Sequence, residues 1–188
     1  MQKKPIISRA AFRAIDVALF VVAGAVIIGL FDSTIQLSVV PSESMYPTLH
    51  IGSCLVSDLN YKKLEADDIV IFTPFGTVPR TRVAYAVEVK KHCMQGGELY
   101  VKRIVGCPRD TIEVRDGNLI RNGAVVHSDY TAEDYINYKM DEVQLGENEY
   151  FVMGDNRNDS NDSHIIGPIK KDQIVGKVVI HFEPIFER

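Results

Sequence analysis

The distribution of apolar positions changes character near residue 32. Residues 17–31 read VALFVVAGAVIIGLF, a run without a polar side chain. Taken back to Phe12, the stretch is long enough as a helix to cross a hydrocarbon core of about 30 Å. Asp16 lies about one turn inside its end, within reach of interfacial water or of Arg13 at i−3. A basic start before an apolar run also fits a cleaved signal peptide, and a buried core helix is a further reading. No clear small-x-small cleavage site follows Phe31, so an uncleaved anchor is expected: residues 1–11 cytoplasmic and 12–31 spanning the membrane.

Beyond the anchor the helical pattern gives way to short β-type runs: IQLSVV, SCLVS, DIVIF, RVAYAVEV, ELYVKRIVG, TIEVRDG, EYFVMGD and QIVGKVVIHF. Turn signals separate them, at residues 74–76, 96–97, 116–118 and 121–123, and Asn122-Gly123 is a hairpin signature. The pattern predicts a mainly β protein with an antiparallel body, in sheets or a partly open barrel. The body is assigned to residues 35–110 and 147–188, with a small cap insertion at 111–146. Within it, SDYTAEDYINYKMDE reads as a polar excursion from the sheet.

Charge sharpens the topology. The 188 residues carry a net charge of −4, yet Lys3, Lys4, Arg9 and Arg13 precede the apolar run with no acid among residues 1–13. The remainder holds 17 basic against 25 acidic groups. An acidic body repels phosphate backbones, which argues against nucleic acid as a partner. Four cations beside an apolar segment suit the cytoplasmic face of a lipid bilayer, so everything after Phe31 is expected outside the cytoplasm of a single-pass cell-membrane protein.

Candidate chemistry narrows by elimination. HExxH, GxGxxG and GxxxxGK strings are absent. A calcium loop begun at Asp155 would put Arg157, Ser160 and Ile166 at positions that need a ligand, a glycine and a bidentate glutamate. Cys54, Cys93 and Cys107 have no CxxC spacing and read as small buried hydrophobes. No metal or cofactor is expected.

Three segments remain. In Pro41-Ser42-Glu43-Ser44-Met45-Tyr46-Pro47-Thr48-Leu49, two prolines stiffen a turn around two serine hydroxyls, although such segments are often only turns. In Tyr100-Val101-Lys102-Arg103-Ile104, the period of two puts Lys102 on a strand face with Tyr100 and Ile104. Its amine either snorkels to water or is held dry. If dry, burial lowers its pKa and makes it a base able to take a serine proton. The third segment, GDNRNDSNDS from Gly154, is either an Asx-rich turn or a network supporting a buried polar group.

Together, in order and relative spacing, PSESMYPTL, YVKRIVGCPRD with the preceding DDIVIF, and GDNRNDSNDS resemble the boxes of type I signal peptidases. These are Ser/Lys proteases that remove signal peptides from exported preproteins. The short anchor and compact body look like the single-span Gram-positive form. The resemblance implies Ser44 as nucleophile, Lys102 as general base, and the Ser42 hydroxyl with the Ser44 N–H as oxyanion hole. It makes Ser160 the serine that hydrogen-bonds the lysine amine. Asp155, Arg157 and Asp162 become its structural network, and Arg103 the basic neighbour of the lysine. Phe72, Tyr100 and Val152 would pack around the lysine stem, while Met45 and Ile104 would wall the substrate pocket. Two positions depart from the family pattern: Arg109 stands where a turn glycine is usual, and His164 where an arginine usually follows the last Asp-Ser. Preprotein signal peptides are the implied substrates, and pilin or secretion-machinery proteins are further candidate partners. The alternatives are a narrow pilin or sortase-locus peptidase and a non-catalytic membrane-anchored chaperone of the same fold.

Overall fold

The computed structural model describes residues 34–74, 76 and 99–183. The predicted anchor, the predicted strand RVAYAVEV and Cys93 lie outside them. Among the described residues no helix is long and apolar enough to cross a membrane.

The described chain is built from antiparallel strands in two sheets. The first strands are β1 (Ile35–Val39), β2 (Cys54–Asp58), β3 (Ile69–Phe72) and β4 (Tyr100–Gly106). Next come β5 (Thr111–Arg115), β6 (Asn118–Arg121), β7 (Ala124–Val125), β8 (Met140–Gln144) and β9 (Glu149–Met153). A single helical turn, α1 (Ser163–Ile166), precedes β10 (Ile169–Lys170) and β11 (Ile174–Phe182). The large sheet has the order β1-β2-β11-β3-β4-β9-β10 and the small one β7-β6-β5-β8.

Burial follows position in each sheet. Central β4 is buried on both faces from Lys102 to Gly106, whereas edge strand β1 leaves Leu37 and Val39 exposed. Strand β11 pairs with both β2 and β3, and its register shifts on each side. Such bulges bend a strand, which lets nine residues serve two partners as the sheet curls.

The small sheet is made by two tight turns. Asp116-Gly117 joins β5 to β6 and Asn122-Gly123 joins β6 to β7, all four residues with φ between 52° and 77°. This left-handed backbone matches two-residue hairpin loops and suits Asn, Asp and Gly. The polar segment SDYTAEDYINYKMDE, read as an excursion from the sheet, instead runs from just after β7 into β8. The reason is packing: Ile136 and Leu145 are buried with Ile112, Val114 and Leu119, and the same cluster contains Val105, Phe151 and Met153 of the large sheet. Alternation in MDEVQ is too weak to show this, because only Met140 and Val143 turn inward.

Candidate active site

Strand β4 supplies the lysine. The register sets Lys102 opposite Val70, with Phe72 opposite Tyr100 and Val152 opposite Ile104. Phe72, Val70, Ile104 and Val152 form one buried cluster with Tyr100 packed against it. Lys102 rises from that apolar face and is only 5% exposed. Burial therefore lowers its pKa from 10.5 to about 8, while the carboxylates of Asp162 and Asp155 pull weakly the other way.

The turn after β1 supplies the hydroxyls. Lys102 Nζ lies 2.6 Å from Ser44 Oγ, and Ser42 Oγ lies 3.3 Å from the same atom. With the amine neutral, the Ser44 O–H donates to its lone pair. The turn is held from below by the loop after β9, where Asn156 N donates to Ser44 O at 3.2 Å. Met45 is buried in the core with Val40, Leu49, Leu55, Ile71 and Val175, anchoring the turn next to Ser44.

A second layer lies on the opposite face of β4. Asp155 has no exposed surface and accepts from Arg103 Nε at 2.8 Å and Nη2 at 2.6 Å, a bidentate pair. Thr48 Oγ1 donates to Asp155 Oδ2 at 2.6 Å, so the pair also grips the turn that carries Ser44. Asp162 caps α1 and accepts the Gly154 N–H at 2.8 Å. His164 Nδ1 lies 2.7 Å from its other oxygen, and the His164 ring stacks on Tyr138 at 4.2 Å. A half-buried histidine thus occupies the expected arginine position and still pairs with Asp162. Arg157 is buried, and its Nε donates to Gly154 O at 3.0 Å.

Two expected placements need correction. Ser160 was to bond the lysine amine, but its buried hydroxyl has no hydrogen-bond partner. It packs against Gly154 instead, where a Cβ would overlap both Ser160 Oγ and Ser44 O. Ile104 was to wall the substrate pocket, yet it is fully buried because it lies one pleat deeper than Lys102, in the cluster with Phe72 and Val152. Met45 does line the cleft, a volume of about 590 Å³ bordered also by Val40, Ser42, Ser44, Val101 and Lys102. At the other departure, Arg109 takes the left-handed conformation with φ 73° and makes an exposed ion pair with Glu147. The turn there is closed by Asp110, which accepts the Cys107 N–H at 2.8 Å.

The close approach at Gly154 makes a sharp prediction. Gly154→Ala must push the Ser44 carbonyl or Ser160 away, and displacement of a nucleophile by about 1 Å costs about 100-fold in rate. Cleavage by the variant is expected to fall by that order with the protein still folded; near-native kcat/KM would show that the contact does not set the position of Ser44.

The sequence agrees with that of known proteins. Residues 13–183 match the family described as signal peptidase, peptidase S26. A probable signal peptidase I-1 from Synechocystis is 30% identical over 187 residues, covering 98% of this chain and 89% of that protein. Signal peptidase I S from Bacillus subtilis is 32% identical over 164 residues, covering 79% of this chain and 77% of its own. Thylakoidal processing peptidase 1 from Arabidopsis thaliana is 33% identical over 181 residues, covering 94% of this chain, which spans about half the length of that relative. These matches define a serine-type peptidase. The chain belongs to the signal peptidase family, whose activity is the removal of signal peptides.

Some of the site had no local sequence signal. Tyr130 and Asp67 reach Arg103 from segments distant in the chain. Thr48 lies inside the PSESMYPTL segment, but its bond to Asp155 joins positions 107 residues apart.

Proposed function

We propose that this protein is a single-pass, membrane-anchored signal peptidase acting outside the cytoplasm, with Ser44 as nucleophile and Lys102 as general base. The observation that carries the reading is the 2.6 Å approach of a buried lysine amine to a serine hydroxyl at the floor of an open cleft. A lysine whose pKa is about 8 is neutral in a useful fraction near physiological pH. It takes the Ser44 proton as Oγ attacks the scissile carbonyl, and the oxyanion develops beside Ser42 Oγ and the Ser44 N–H. Lys102 then protonates the leaving amine, and as the free amine again it activates the water that releases the acyl group. The apolar cluster under the lysine keeps its amine dry and its stem fixed.

Strand β9 ends at Met153, opposite Arg103, and the cleft opens beside the earlier part of β4. An extended substrate segment fits there by strand addition, its side chains alternating between the cleft wall and solvent. Small residues at −1 and −3 of the preprotein fit a wall that includes Met45. In this reading residues 12–31 hold the cleft near the bilayer, and residues 111–146 are an insertion packed behind the catalytic sheet.

The test is incubation of the detergent-solubilised full chain with a panel of preproteins, with cleavage positions read by mass spectrometry. Cutting after small residues is expected, and replacement of alanine by a bulky residue at −1 should reduce it by at least about 100-fold. Undiminished cutting of the bulky variant would remove the assigned specificity, and cleavage confined to one preprotein would indicate the narrow form.

A further inference from the structure

Tyr130 precedes β8 in the segment that links the small sheet to the site, and it is in contact with the buried ion pair. Its ring lies 3.9 Å from the Arg103 guanidinium carbon, and its hydroxyl donates to Asp67 Oδ1 at 2.6 Å. Asp67 O in turn accepts from Arg103 Nη1 at 2.9 Å. The next two residues continue the contact: Thr131 bridges to Pro47 in the nucleophile turn, and Ala132 N donates to Asp155 O at 3.0 Å. Three successive residues of one strap therefore touch the base's neighbour, the serine turn and the backbone of Asp155, whose carboxylate joins the two.

We infer that Tyr130 is a positioning residue of the Ser44/Lys102 site: its ring closes Arg103 onto Asp155 and Thr48, and so fixes both the charge balance around Lys102 and the turn that carries Ser44. The physical argument has two parts. A cation over an aromatic face is stabilised most where water is excluded, and Arg103 is itself buried. The ring also shields the Arg103–Asp155 pair, keeping its internal neutralisation strong in a low dielectric. The ionisable groups around Lys102 are Asp155 and Asp162, both of which favour its proton, with Arg103 offsetting the first and His164 in contact with the second. Around Tyr130 they are Arg103, Asp67 and Arg157; burial, ahead of the Asp67 bond, pushes its own phenol up to about 12, so it stays neutral through the working range. Opening the ring contact admits water, weakens the hold of Arg103 on Asp155, and leaves more of the carboxylate's field acting on Lys102. The lysine proton is then held more tightly.

The inference rests on the dyad reading, and the experiment separates the two. Cleavage by the full chain is followed against pH for wild type, Tyr130→Phe, Tyr130→Ala and Lys102→Ala, with Tm recorded for each. Tyr130→Phe keeps the ring and loses only the bond to exposed Asp67, so its acid limb is expected to coincide with wild type. Tyr130→Ala is expected to move the acid limb up by about half a pH unit, which below the midpoint lowers kcat/KM about threefold. A role confined to stability would lower Tm and leave that limb in place, and this result overturns the inference. Should the alanine variant fail to fold, Tyr130→Leu fills the volume without the aromatic face and is expected to show the same upward shift. Activity in Lys102→Ala would overturn the dyad reading itself, whereas an unmoved limb in Tyr130→Ala with an inactive Lys102→Ala overturns the role of Tyr130 alone.

Discussion

Lys102→Met is expected to abolish cleavage and at the same time make the protein more stable at pH 7. The folded chain holds the amine at a pKa of about 8, against 10.5 for the group in water. At about 1.4 kcal/mol per pH unit, that gap means that keeping a charged Lys102 in the folded site costs about 3 kcal/mol. The sign follows from proton binding. Below pH 8 both folded and unfolded chains hold the proton, and the cost is constant. Between 8 and 10.5 only the unfolded chain holds it, so stability rises with pH across that window and the cost is gone above it. Methionine fills nearly the same volume among Val70, Tyr100 and Ile104 without a charge. It gives up only the contact with Ser44, leaving a net gain of about 2 kcal/mol at pH 7 that falls to zero within the window and becomes a small loss by pH 10.5. Urea denaturation at pH 7 and pH 10 measures this directly, and a Lys102→Met protein no more stable than wild type at pH 7 would show that the amine is not desolvated. Activity has its own readout: wild-type kcat/KM should climb with pH through about 8, Ser44→Ala should be inactive throughout, and Lys102→Arg should not rescue, because a guanidinium stays protonated.

What could be read from the chain and what could not divide along physical lines. Strands buried on one or both faces left strong β-type runs, so β2, β3, β4, β5, β9 and β11 are recognisable in SCLVS, DIVIF, ELYVKRIVG, TIEVRDG, EYFVMGD and QIVGKVVIHF. The turn at Asn122-Gly123 was legible because its left-handed backbone selects those residues. Strands β7 and β8 were not, since a two-residue strand has no period and β8 exposes most of its side chains. The apolar face under Lys102 followed from the period of two in β4, but not its depth, and this is why Ile104 reads as a pocket wall when it is core. Ser160 illustrates a different limit. Motif position puts it near the lysine, whereas the rotation of its hydroxyl toward Gly154 depends on a backbone approach that no local pattern encodes. The links of Thr48 and Tyr130 to Arg103 and Asp155 depend on how distant loops meet, and spacing along the chain carries no trace of that.

The Arg103–Asp155 pair is where the largest loss of stability is expected. Arg103 is 8% exposed and Asp155 not at all, and the guanidinium finds no other carboxylate within ion-pair distance among the described residues. A buried pair adds little over an apolar one, but removing one partner leaves an uncompensated charge in a dry site and costs about 3 to 5 kcal/mol. Asp155→Ala should therefore destabilise by that amount. Asp155→Asn, which keeps one carbonyl oxygen for Thr48, should lose somewhat less. The double change Arg103→Met with Asp155→Leu removes both charges and is expected to recover more than half of the loss, a non-additivity that identifies the pair as the source. Catalysis gives an independent sign. Asp155 favours the Lys102 proton, so Asp155→Asn should lower the lysine pKa and move the acid limb of cleavage below 8, opposite to the shift expected when the ring of Tyr130 is removed. Denaturation of the three variants and the pH profile of Asp155→Asn are the measurements. If Asp155→Asn moved the limb upward, the carboxylate would not be acting on Lys102 through its charge, and the second layer would matter only for holding the nucleophile turn in place.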